Sequence, residues 1–344
     1  MEFPKYNATC HPNEYIKQMT AHCKINKITN EQEILEFCKL MIDSTITLPN
    51  EINSLNELVM TLKSHLTFNI FKNTCKEKLK FLKYVSEKKG GNTCAFLSNF
   101  RSLCNDAEIN DSEEIKNLLF KTLPPLNDFC KMEFKKRIDG IDSMDEILKV
   151  FSDVVFDELN VIEYDSLIAL KHVATGKYLS TCKKDKSIAV YAGDKLPNSN
   201  TIWLAKTKHS PSTDINKLPY QSNKIFYNDT LYLYNGDYKD YRLYIDDNKS
   251  PITGHAEVSI NNASVEKFSR LFKDDYAIRF IKSNSTHNND YVKTKDIIKL
   301  QFLQTGCLLR SHDSTFMIGN KLFQEVIGHR ERAGGNDKWI IELI

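Results

Sequence analysis

The chain has 344 residues, 47 Lys and Arg against 45 Asp and Glu, and a formal net charge of +2. Near-neutrality excludes the electrostatic footprint of a nucleic-acid or acidic-membrane binder, and no stretch approaches the roughly 18 consecutive apolar residues of a membrane span. A hydrophobic share of 41% is enough to build a core in each of two domains at this length. The opening MEFPKYNATCHPNEY has no basic segment followed by an apolar run, so no secretory signal is predicted. Nine cysteines, an odd number without CxxC spacing, predict reduced thiols and a cytoplasmic location. Most cysteines fall before residue 160, whereas most glycines and tyrosines and both tryptophans fall after it. That shift predicts an α+β multidomain chain: an all-α domain over residues 1–160 and an all-β domain over residues 161–344.

The first half reads as successive amphipathic helices. Pro12 suits a first helical turn, with Tyr15, Ile16, Met19 and Cys23 on one face. Asn30 caps a second helix that buries Ile34, Leu35, Phe37, Cys38, Met41 and Ile42. Ser54 and Glu57 form a Ser-x-x-Glu capping box, and a long segment from Phe68 to Val85 follows. Gly90-Gly91 breaks the pattern before a helix from Asn92 to Ala107. Asp111 opens another, Pro124-Pro125 ends it, and Ser143 with Glu146 opens the last, through Phe151 and Val155. No catalytic set appears here. His11, His22 and His65 are scattered among cysteines without ligand spacing, so no metal site and no cofactor are predicted.

Three stretches, His11–Gln18 (HPNEYIKQ), Ser54–Phe71 (SLNELVMTLKSHLTFNIF) and Thr93–Leu103 (TCAFLSNFRSL), resemble the capsid region of long-terminal-repeat retrotransposon Gag proteins over residues 8–125. The usual Trp positions are absent, with Tyr15 in one of them, and the zinc knuckle is missing. The resemblance therefore implies helical self-association, a homo-oligomer, without nucleic-acid binding.

The second half is a repeat. Leu167–Val173, Tyr178–Cys182, Ser187–Ala192 and Thr201–Lys206 read as four strands, followed by a polar loop at Lys208–Asn228. Thr230–Tyr234, Tyr241–Ile245, Glu257–Ile260 and Tyr276–Lys282 form a second set. Ile297–Phe302, Cys307–His312, Gln324–Gly328 and Lys338–Leu343 form a third. The anchors Leu170, Leu233 and Leu300 lie 63 and 67 residues apart. Trp203 and Trp339 match each other, and Phe280 is assigned that place in the second set. Three four-strand units at nearly one spacing predict a β-trefoil.

The stretch Leu170–Leu179 (LKHVATGKYL) resembles the signature hairpin of the MIR domain. Ser250–Ser259 (SPITGHAEVS) and Gln324–Gly328 (QEVIG) resemble a second motif of the same family. MIR domains occur in protein O-mannosyltransferases, stromal-cell-derived factor proteins, and inositol-trisphosphate and ryanodine receptors. The resemblance implies a non-catalytic β-trefoil that binds a glycan, a polar small molecule or a protein partner. Only the first repeat keeps the full polar turn, so the expected ligand-binding residues are His172, Thr175, Gly176, Lys177 and Tyr178. A histidine, a hydroxyl and an aromatic face can hold a sugar by hydrogen bonds and stacking. Glu257 and Glu325, at matching places in their repeats, are expected to accept nearby backbone N–H groups.

Neither half carries a nucleophile elbow, a phosphate loop, a dinucleotide fingerprint or a metal quartet. The sequence therefore predicts a non-enzymatic binding or adaptor protein. The alternative is a Gag-like structural protein that assembles through its helical domain.

Overall fold

The computed structural model describes the chain except residues 1–2, 126–127, 185–186, 208–222, 251, 263–275, 284–289 and 319. The expected loop Lys208–Asn228 therefore lies outside the described residues up to residue 222. The chain divides into two compact units, Met1–Leu159 and Asn160–Ile344.

The first unit is helical: α1 (Pro12–Ile25), α2 (Glu31–Leu40), α3 (Leu55–Ser64), α4 (Leu66–Phe81), α5 (Thr93–Asp106), α6 (Ser112–Thr122), α7 (Asp128–Arg137) and α8 (Met144–Leu159). Local capping sets most of the starts. Asn30, Asn92 and Asp111 side chains accept from the first backbone N–H groups of α2, α5 and α6. At α3, Ser54 accepts from the Glu57 N–H at 3.2 Å, while Glu57 reaches back one residue further than a capping box requires, to the Asn53 N–H. No described helix is long and apolar enough to cross a membrane.

Helix α7 was not expected. Its sequence, DFCKMEFKKR, is dominated by charge, and Phe129, Cys130 and Phe134 are buried. Phe134 packs edge-on against Phe151 of α8, centroids 5.8 Å apart. Arg137 Nη2 also donates to Asp157 Oδ2 at 2.7 Å, and Cys130 Sγ to Glu158 Oε2 at 3.3 Å, so contacts to α8, not its own weak periodicity, place the helix.

One carboxylate ties the early helices together. Glu108, just past α5, accepts from Lys63 Nζ at 2.6 Å and Lys72 Nζ at 3.2 Å, and faces His11 Nε2 at 3.4 Å. Burial alone would raise its pKa, but the two lysines overcome that and pull it down to about 2. A carboxylate depressed on folding stabilises above its unfolded pKa, near 4.3, and loses that contribution as pH falls towards the folded value. We expect the helical unit to lose on the order of 2 kcal/mol between pH 5 and pH 2 through this group. Glu108→Gln should flatten that part of the pH profile in urea melts followed by helical circular dichroism.

The second unit contains the twelve expected strands: β1 (Leu167–His172), β2 (Leu179–Lys184), β3 (Ser187–Ala192), β4 (Ile202–Thr207), β5 (Leu231–Asn235), β6 (Tyr241–Lys249), β7 (Ala256–Asn262), β8 (Ile278–Lys282), β9 (Ile297–Phe302), β10 (Leu308–Ile318), β11 (Lys321–His329) and β12 (Trp339–Leu343). Six of them pair in a closed antiparallel ring, β1–β4–β5–β8–β9–β12 and back to β1. The ring leaves no unpaired edge among its members. The other six form the hairpins β2–β3, β6–β7 and β10–β11. These meet in a second cycle, Ile327 opposite Glu257, Ser259 opposite Ala189, and Tyr191 opposite Glu325. Leu170, Leu233 and Leu300 are fully buried in one core with Trp203, Trp339, Ile278 and Phe280.

A third cycle closes the far end. Ile162 N–H donates to Val292 O at 2.9 Å, Val292 N–H to Ile225 O at 2.9 Å, and Ile225 N–H to Ile162 O at 3.0 Å. Each leg then turns through a non-glycine residue in the left-handed region, Asp165, Asn228 and Lys295, with φ of 66°, 69° and 70°. Ser166, Asp229 and Asp296 side chains brace these turns by accepting from the backbone three residues back. The spacing of 63 and 67 residues recurs in all of them, so Asn160–Asp165 is the first leg of the repeat.

Register corrects one assignment. Trp203 lies opposite Ile168 and Asn235, and Trp339 opposite Ile298 and His172. The residue opposite Leu231 and Phe302 in the second repeat is Ile278. Phe280, two residues on, shares its face and its burial but not its place.

Candidate functional site

The first-repeat turn is built by backbone geometry. His172 N–H donates to Lys177 O and Gly176 N–H to His172 O, both at 2.8 Å. The third repeat does the same with Phe302, Gly306 and Cys307, at 2.8 and 2.9 Å. Gly176 and Gly306 share φ of 70°, where a side chain would be strained. A phenylalanine replaces the histidine without altering the turn, so the imidazole serves something else.

That role is internal. His172 is fully buried, its ring 5.0 Å from that of Trp339. Its Nε2 meets the Asn336 carbonyl at 3.0 Å and must donate, leaving Nδ1 to accept from Thr175 Oγ1 at 3.0 Å. Burial holds its pKa below the ordinary histidine value, so the ring is neutral at pH 7. Tyr178 is buried too. Its hydroxyl donates to Glu342 Oε2 at 2.7 Å, Lys171 Nζ stands 5.6 Å from its ring, and burial with Glu342 pushes the phenol up to about 12. Thr175, Gly176 and Lys177 are half-buried, and the outer rim of the turn is Val173 and Ala174. The five expected residues are thus brought together, with His172 and Tyr178 turned into the domain and Thr175–Lys177 at its surface.

An open cleft lies at the equivalent turn of the third repeat. It encloses about 320 Å³, at the lower end of the roughly 300–1,000 Å³ typical of small-molecule sites. Thr305 and Cys307 form one wall, Ile245, Lys249, Gly254, His255 and Ala256 of the second hairpin another, and Gly328, Arg330 and Glu331 a third. Arg330 Nε donates to Cys307 Sγ at 3.2 Å. A side chain at Gly328 would meet the tip of Ile245, so β11 lies close beneath the hairpin here. His255 packs edge-on to His329 at 5.3 Å. His329 Nε2 accepts from Arg310 Nη1 at 3.2 Å, which makes Nδ1 its protonated nitrogen, and burial with Arg310 lowers its pKa. Arg310 is itself held by Asp337, at 2.7 and 3.1 Å.

The cycle of hairpin pairings identifies the counterparts in the first repeat. Gly328 corresponds to Ala192, and His255-Ala256 to Phe323-Gln324. There Phe323 packs on Tyr191, ring centroids 4.1 Å apart. At the same positions the third repeat carries His255 and Ile327, and His255 packs on His329 instead. Sequence comparison of the turns alone points to the first repeat, because the difference lies in the facing hairpin.

The expected role of Glu325 is met from the neighbouring repeat. Its Oε1 accepts from Ser250 Oγ and from the Ile252 N–H at 3.2 Å, and His312 Nε2 lies 3.4 Å from Oε2. All nine cysteines are free of disulfides, and no cluster of metal-ligating side chains occurs among the described residues.

No protein-family model matches the chain, and no curated protein matches it. Solved structures do resemble it. An SDF2-like protein from Arabidopsis thaliana is 21% identical with a TM-score of 0.43, over 53% of this chain and 94% of that one. A Caenorhabditis elegans protein of unknown function is 16% identical with a TM-score of 0.44, over 54% and 97%. The Saccharomyces cerevisiae protein O-mannosyltransferase Pmt1-Pmt2 complex, bound to the sugar donor, is 17% identical with a TM-score of 0.42, over 73% of this chain and 44% of that one. Nothing in these comparisons supports the capsid resemblance of residues 8–125, which rests on its sequence stretches alone. The architecture of the β unit rests on its own strand pairings.

Proposed function

We propose that this chain is a non-enzymatic binding protein whose second unit is a MIR-like β-trefoil, and that it takes a small polar ligand, such as a sugar, in the third-repeat cleft. The closed six-strand ring and the three cyclic sets of contacts support the trefoil. One observation carries the site: polar side chains from two hairpins and a turn converge on the cleft. The reduced cysteines accord with a cytoplasmic protein. The first-repeat turn is the second place where a ligand could bind, through the surface of Thr175–Lys177.

A glycan array probed with the full chain tests the reading. A hit should be lost in His255→Phe, which copies the Phe323 that occupies the first repeat, while the urea midpoint read by tryptophan fluorescence stays within 0.5 M. Binding that survives His255→Phe but falls in Lys177→Ala moves the ligand to the first-repeat turn. His172→Ala and Tyr178→Ala do not serve this purpose, because both side chains are buried and would act through the fold.

A further inference from the structure

From the charges in this cleft we infer that its ligand carries an oxyanion, a carboxylate or a phosphate on a body the size of one sugar ring. The inference rests on the cleft reading above and adds the ligand's charge.

Two permanent cations line the cleft from different walls, Lys249 at the end of β6 and Arg330 just past β11. Both are exposed, and neither has an acidic partner among the described residues. Arg330 is steadied through Nε by Cys307 Sγ, which leaves its terminal nitrogens to present a planar fork. That fork matches two oxygens of a carboxylate or phosphate. Thr305 Oγ1 accepts from the Cys307 N–H at 3.3 Å, so its own hydrogen is available to donate inward. His255 adds a ring nitrogen, and Glu331 is the single acid in the lining. Arg310, one layer behind, is neutralised by Asp337 and does not add to the balance.

This local excess is not a reflection of the whole chain, which is within two charges of neutral. A neutral sugar would leave Lys249 and Arg330 solvated and would gain only hydrogen bonds. An anion gains the charge-assisted pair as well, and the cleft walls screen it less than open solvent does. The enclosed space, about 320 Å³, favours a single ring over an oligosaccharide.

The test is titration calorimetry of the full chain with glucose, glucuronate and glucose 6-phosphate at low and high salt. The two charged sugars should bind at least tenfold more tightly than glucose, and the advantage should shrink as salt rises. Comparing them separates a carboxylate from a phosphate preference. Lys249→Gln and Arg330→Gln should each weaken the charged sugars about tenfold without shifting the urea midpoint, while Glu331→Gln should strengthen them. Equal affinity for all three sugars, lost in His255→Phe, overturns the oxyanion and leaves the cleft standing. Binding that survives both neutralising changes also overturns it. No binding of any of the three sugars overturns both readings together.

Discussion

Asp337→Ala is expected to lower the stability of the β unit by about 3–5 kcal/mol, the range for breaking a buried ion pair from one side. Asp337 is fully buried and sits in the short 3-10 turn Gly335–Asp337 that leads into β12. Its carboxylate holds Arg310 through two hydrogen bonds and also accepts from the Gly334 N–H. Alanine would leave a largely buried guanidinium with only the Arg332 carbonyl and His329 Nε2.

The repeat supplies a control that separates these roles. The corresponding residue of the first repeat is Thr201, fully buried, whose Oγ1 accepts from the Asn198 N–H at 2.8 Å just as Asp337 does from Gly334. Asp337→Thr should therefore rebuild the turn but not the ion pair, and recover part of the loss. Adding Arg310→Met to Asp337→Thr removes the stranded charge and should recover more. Both tryptophans belong to the β unit, so urea melts followed by their fluorescence report on it directly. A loss below 1 kcal/mol for Asp337→Ala would mean that Arg310 reaches solvent without cost, and the buried pair would lose its structural role.

Much of this fold was legible from the sequence, and the reasons differ by element. All twelve strands were expected, although β10 runs on to Ile318, well past the expected end at His312; alternation in stretches such as TLYLY and YRLYI is a direct imprint of one buried face. Gly176 and Gly306 were legible as turns for their φ of 70°. The triangle of Ile162, Ile225 and Val292 was not, because its bonds are backbone to backbone and place little demand on side chains. Its turns are also disguised: Asp165, Asn228 and Lys295 occupy a conformation for which a reader looks for glycine.

Helix α7 was missed for want of periodicity, and Ile278 was passed over because aromatic size suggested Phe280 while hydrogen-bond register decides the place. The site shows the same limit. A signature turn is local and can be read in one stretch. The cleft joins Thr305 and Cys307 to His255 and Lys249, which belong to different hairpins and come together only once the pairings relate them.

Trp339→Ala is expected to cost a similar amount, about 3–5 kcal/mol, for a different reason: a cavity in place of a fully buried indole, together with a lost hydrogen bond. The indole Nε1–H donates to Leu309 O at 3.0 Å, and in the first repeat Trp203 donates to Leu179 O at the same distance. Each bond joins the ring of six strands to a hairpin of its own repeat. The second repeat manages without it, since Ile278 carries no donor. Trp339→Ile copies that solution and should cost less than alanine, because more of the volume is kept. It should still lose the donor to Leu309, on the order of 1 kcal/mol. It should also loosen His172, whose ring packs against Trp339 and whose Nε2 reaches Asn336 beside it.

That coupling is measurable. His172→Ala and Trp339→Ile combined should destabilise by less than the sum of the two alone, because each already disrupts the contact they share. Trp203 remains in every variant as the fluorescent reporter, and its environment lies in the same core. Strict additivity would show that the imidazole supports only its own turn. A shared deficit would place His172 in the closure of β1 against β12, which is the seam where the first and last strands of the ring meet.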